Sequence, residues 1–112
     1  MGMITCPFII KAVEPKEHKP VNPYHELMVG RYCAVCRLEK ERPALLAVDM
    51  PYDAGNPHRF LTSDVVGFTV FGSQFYIETA NTKYTFERVQ KDKERTYFIT
   101  WETEETYDDL FG

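Results

Sequence analysis

Cys33 and Cys36, two thiols three positions apart in "CAVC", are the residues whose type and spacing most resemble a reactive centre. Metal chelation or disulfide exchange needs their sulfurs to converge, which takes a tight knuckle or a helix N-terminus. No Gly or Pro lies between them, and the flanking residues suit a strand, where successive side chains point to opposite faces. Tyr32, Ala34, Cys36 and Leu38 then share one face, and Cys33, Val35 and Arg37 the other. A zinc site would need two further ligands from Cys6, His18, His25 and His58, and there is no second C-x-x-C. Buried or half-buried strand cysteines are therefore the expectation, with no cofactor. A zinc-stabilised domain using Cys33, Cys36, His18 and His25 is the lesser alternative.

"HRFLTSDV" brings together His58, Ser63 and Asp64, the residue types of a hydrolase. A nucleophilic serine also needs an oriented base and an oxyanion hole, and no G-x-S-x-G elbow is present. Thr62, Ser63 and Asp64 are instead expected to turn the chain into a strand beginning at Val65. Asp49, Asp53 and His58 flank a glycine loop, but their spacing matches no calcium loop. His18 and His25 lie in a charged connector, where solvated side chains are expected. No catalytic constellation emerges, and a non-enzymatic protein is the reading.

The elements that position these residues read mainly as β-strands. "FIIKAV" is a short apolar strand, and "EPKEHKPVNPYHE", with three prolines, is a loop or extended connector. "VGRYCAVCRLE" is the next strand candidate. "ALLAVDM" is too short for periodicity to decide between strand and helical turn, and "PYDAGNPHR" is a long loop. The pattern then sharpens into two consecutive hairpins. A two-residue turn at Gly72-Ser73 pairs Val70 with Phe75, Phe68 with Ile77 and Val66 with Thr79 on one apolar face. The opposite, wetter face pairs Phe71 with Gln74, Thr69 with Tyr76 and Gly67 with Glu78. A second turn at Ala80-Asn81 sets Ile77 against Tyr84 and Phe75 against Phe86. A one-residue slip would mix the faces, so the pattern selects this register. "QKDKER" is a charged turn before "TYFITWE", where Tyr97, Ile99 and Trp101 alternate. Short antiparallel strands with one buried face are expected to close into a small barrel or strongly bent sheet with little helix.

Three stretches carry a loose likeness to known proteins: "GRYCAVCRL", "LTSDV" at 61–65 and "IETANTKYTF" at 77–86. In these the chain resembles small, functionally unassigned bacterial and phage proteins with an SH3-like barrel. The resemblance implies that fold, and brings no activity or site with it.

Size and charge bound the function. A chain of 112 residues makes one domain, expected here as a β-barrel over 1–101 and an acidic-aromatic tail over 102–112. "ETEETYDD" holds five of the 17 acidic residues, leaving 12 against 13 basic ones elsewhere. A near-neutral body with an acidic tail is a poor footprint for binding a phosphate backbone. The nucleic-acid alternative would need Arg31, Arg37, Arg42, Arg59, Lys83 and Arg88 to form a stripe that the tail inhibits. No stretch reaches the roughly 20 apolar residues of a membrane span, and the N-terminus lacks the regions of a signal peptide. A cytoplasmic protein with reduced thiols is expected. Its partner is expected to be another protein, with homo-oligomers left open. The candidate binding residues are Phe71 and Tyr76 on the outward sheet face, His58, Arg59 and Asn81 at loop rims, and Trp101, Tyr107 and Phe111 at the acidic end.

Overall fold

A computed structural model describes residues 2–19, 22–51 and 55–101. Eight strands, one short α-helix and a 3₁₀ turn follow in order among these residues: β1 Gly2–Cys6, β2 Phe8–Pro15, α1 Tyr24–Met28, β3 Tyr32–Arg37, β4 Pro43–Val48, β5 His58–Phe71, β6 Gln74–Thr79, β7 Thr82–Arg88, the 3₁₀ turn Lys91–Lys93 and β8 Arg95–Ile99. Strands β2 to β7 form a mainly antiparallel, barrel-like ring, each hydrogen-bonded to the next and β7 returning to β2. The mainly β architecture with little helix is the one expected. No helix among the described residues is long and apolar enough to cross a membrane.

Alternation places the core inside the ring. Phe8, Phe75 and Phe86 are fully buried there and touch one another, with ring centroids 5.5 to 6.0 Å apart. Both hairpin turns fall where the pattern puts them. Val70 pairs with Phe75, Phe68 with Ile77, Ile77 with Tyr84 and Phe75 with Phe86. Gly72 has φ +61°, a left-handed conformation that glycine adopts without a Cβ clash.

The expected Val66–Thr79 pair is corrected. A register shift between Val65 and Gly67 gives Thr79 to Val65, which is 2% exposed, and turns Val66 out to 55% exposure. The extra residue of a β-bulge reverses the inside-outside parity beyond it and bends the strand. It lies where β5 changes neighbours, pairing with β4 over His58–Asp64 and with β6 from Val65 onward. Thr62, Ser63 and Asp64 are thus within a continuous 14-residue strand rather than a turn leading into it.

β1 and β8 make a separate antiparallel ribbon, Gly2 opposite Ile99 and Cys6 opposite Arg95. Its Ile4, Cys6 and Ile99 pack outside the ring on Ala34, Cys36, Leu45 and Ala47. β3 and β4 are consequently covered on both faces, which explains their unbroken apolar runs "CAVC" and "ALLAV". Tyr97 fastens the ribbon by donating its hydroxyl to Asp49 Oδ2 at 2.7 Å. The Arg95 guanidinium lies over the Tyr32 ring, 4.4 Å from its centroid.

The proline-rich connector contains α1, a single turn that the sequence reading did not anticipate. The Asn22 side chain accepts the Tyr24 N–H at 2.9 Å, and the His25 N–H bonds to the Asn22 carbonyl at 3.0 Å. These contacts close the first turn, and the Arg31 N–H donating to the Met28 carbonyl at 3.1 Å closes the other end. Burial of Met28 in the ring core does the rest, anchoring α1 across one end of the ring.

Candidate binding site

Where β5 parts from β6, a cavity of about 210 Å³ opens between three elements. Phe60 to Ser63 of β5 form one wall; Asn22 and His25 of the α1 segment form a second. Asn81, Thr82 and Tyr84, from the β6–β7 turn and β7, complete it. The hydroxyls on the β5 side are already engaged. Thr62 Oγ1 accepts the Ala44 N–H at 2.9 Å and donates to the Ser63 carbonyl at 2.7 Å. Ser63 Oγ bonds to Thr79 Oγ1 at 2.8 Å and accepts the Asn81 N–H at 3.1 Å. A serine held in this way pins the kinked strand to the next turn.

The solvated position expected for His25 is corrected: the residue is only 7% exposed. Its ring stands edge-on to Tyr84, 6.1 Å between centroids, and 6.4 Å from Phe60. Among the described residues Nδ1 is enclosed with no hydrogen-bond partner. Burial lowers the His25 pKa from its ordinary value, favouring the neutral imidazole. Burial likewise pushes the neighbouring Tyr84 phenol up to about 12.

The second feature is the outer face of the β5–β6 hairpin. Phe71 is 76% exposed and Tyr76 37%. They occupy diagonal positions across the ladder, since Phe71 pairs with Gln74 and Thr69 with Tyr76; such neighbours are within reach of aromatic side chains. The Tyr76 hydroxyl donates to Gln74 Oε1. Beside them a shallow depression of about 260 Å³ runs over Gly67, between Lys40, Tyr76 and Glu78. The face is bordered by ion pairs, Lys16 with Glu78 at 2.6 Å and Lys11 with Glu87 at 3.3 Å. Its hydrogen bond to Lys16 holds Glu78 below its ordinary pKa.

The other expected residues are dispersed. His58 and Arg59 are exposed at the start of β5, and Asn81 is exposed at the cavity rim. Trp101 is half-buried against the ribbon core, and its indole N–H donates to the Pro57 carbonyl at 3.3 Å. Tyr107 and Phe111, like Asp53 of the weighed cation site, lie outside the described residues. Cys33 faces the ring interior and Cys36 the ribbon side, as alternation requires. Leu38 joins Cys33 rather than Cys36, because a register shift between Val35 and Arg37 flips the parity. All three cysteines are buried, and no disulfide joins them. His18 is exposed beside Glu17, 3.3 Å away, and no group of three metal-ligating side chains occurs among the described residues. Three of the six cations of the weighed basic stripe have local neighbours. Arg37 donates to the Pro43 carbonyl, Arg42 pairs with Glu39, and Lys83 lies opposite Glu14 and Glu78.

What sequence reasoning missed is the cavity. Its one visible trace was a histidine placed next to prolines in "VNPYHE", a weak signal because helix α1 is held by tertiary contacts. Compared with family models, curated proteins and solved structures, the chain matches none.

Proposed function

We propose that this chain is a non-enzymatic binding module whose partner is another protein, engaged through the outer face of the β5–β6 hairpin. The observation that carries this reading is the exposed Phe71–Tyr76 pair, held on a rigid ladder and bordered by ion pairs. Aromatic anchors with a polar rim are the usual composition of a protein-binding patch. The antiparallel ring with one long bent strand supports the SH3-like reading of the fold. Three buried cysteines with no disulfide between them support a reducing, cytoplasmic setting. The engagement of Arg37 by a carbonyl and of Arg42 by a carboxylate favours a protein over a nucleic-acid partner.

The test is a display selection of peptides on the intact protein, followed by binding to a Phe71→Ser/Tyr76→Ser double variant. The double variant is expected to keep its thermal midpoint, since both side chains are outside the core, and to lose selected peptides at least tenfold. Equal binding by both proteins would move the interface elsewhere. Unfolding of the double variant would show the pair to be structural.

A further inference from the structure

The cavity between α1, β5 and the β6–β7 turn offers a different recognition chemistry from the hairpin face. Its volume of about 210 Å³ equals about seven waters at ~30 Å³ each. That is room for one substituted ring. Successive strand side chains point to opposite faces, so a cavity lined by four consecutive residues, Phe60 to Ser63, must reach the strand's edge. That edge has no strand neighbour among the described residues, because β6 joins β5 only from Val65. The Ser63 carbonyl already accepts the Thr62 hydroxyl; elsewhere a strand edge without a neighbouring strand presents backbone N–H and C=O groups side by side, the same pattern that an amide or lactam carries in complement.

Across the cavity stands the His25 ring, whose Nδ1 has no hydrogen-bond partner among the described residues. The atom is closed to solvent, so a guest reaches it only as the imidazole turns toward the cavity, and that contact would satisfy it. The Asn81 carboxamide adds a donor and an acceptor at the rim. Phe60 and Tyr84 supply flat apolar walls. Among the described residues no Asp, Glu, Lys or Arg lines the space, so a charged guest would lose hydration without a counter-charge from them. We propose that this cavity binds a small, planar, uncharged molecule carrying an amide or lactam edge. The proposal is independent of the hairpin face.

The experiment is titration of the isotope-labelled full chain with uracil, read on the amides of Phe60 to Ser63 and on the His25 ring nitrogens. Saturable shifts at these positions are expected, with a dissociation constant of about a millimolar or tighter, in line with ring-sized ligands. Orotate, the same ring with a carboxylate, is expected to bind at least tenfold more weakly, and benzene not to compete. His25→Phe and Asn81→Ala are each expected to weaken uracil at least threefold. Asn81 is an exposed turn residue, so its variant keeps the test valid if the His25 variant misfolds. The Phe71→Ser/Tyr76→Ser protein is expected to bind uracil unchanged, which separates this site from the hairpin face. N-acetylglutamine amide binding tighter than uracil would assign the amide to a partner's side chain, and the reverse to a free heterocycle. Absence of saturable shifts up to the solubility of uracil would overturn the proposal. So would equal binding of benzene or orotate.

Discussion

Val65 and Val66 are adjacent, identical in chemistry, and separated only by the bulge. Replacing each in turn by Ala tests where that bulge lies. Val65 is 2% exposed and packs in the ring core, whereas Val66 is 55% exposed. Val→Ala removes two carbons, worth about 1.6 kcal/mol at ~0.8 kcal/mol per buried CH₂. A residual cavity adds to this, bringing Val65→Ala to about 2–3 kcal/mol. Both substitutions also lower strand propensity, on a scale spanning ~1 kcal/mol, and that part is shared. Val66→Ala is left with little else, about 0.5–1 kcal/mol. With a urea slope of ~2 kcal/mol/M, the two midpoints should differ by about 1 M. Equilibrium urea unfolding followed by Trp101 fluorescence or circular dichroism measures it. Equal losses, or a larger loss at Val66, would refute the bulge and restore an unbroken alternation through β5.

Tyr97→Phe removes the hydroxyl bonded to Asp49 and is expected to cost about 1–2 kcal/mol. Hydrogen exchange should quicken in β1 and β8 while the β6 amides stay protected, because the bond fastens only the ribbon. Burial raises Cys33 and pushes Cys6 up to about 12, the latter with added repulsion from Cys36 and Asp49. The folded state therefore prefers neutral thiols. That stability is complete below the unfolded thiol value of about 8.5 and is lost as pH rises toward 12. A falling urea midpoint above about pH 8.5, and alkylation by iodoacetamide only on unfolding, are the expected results. His25 is shifted in the opposite sense for a base, its charged form disfavoured by burial. Acidification below about 6.5 protonates the unfolded chain first and lowers stability; His25→Phe should flatten that part of the profile.

Local pattern settled the regular parts of this protein. Alternation over 67–86, with turn-compatible residues at Gly72-Ser73 and Ala80-Asn81, admits one register that keeps a face apolar, and that register is the one observed. The same rule put Cys33 and Cys36 on opposite faces, where the structure has them. Sequence could not place the bulges at Val66 and Cys36. One inserted residue changes no composition, and its benefit, bending β5 from one neighbour to the next, exists only in the closed ring. Nor could it foresee that β1 and β8, from the two ends of the chain, would meet as a ribbon over β3 and β4. Pairing across 90 residues leaves no mark on local periodicity. Helix α1 and the burial of His25 follow the same logic. A five-residue helix is not stable alone, so its existence was decided by Met28 entering the ring core. The cavity beside it is therefore a property of the tertiary structure, assembled from three segments that local sequence rules treat separately.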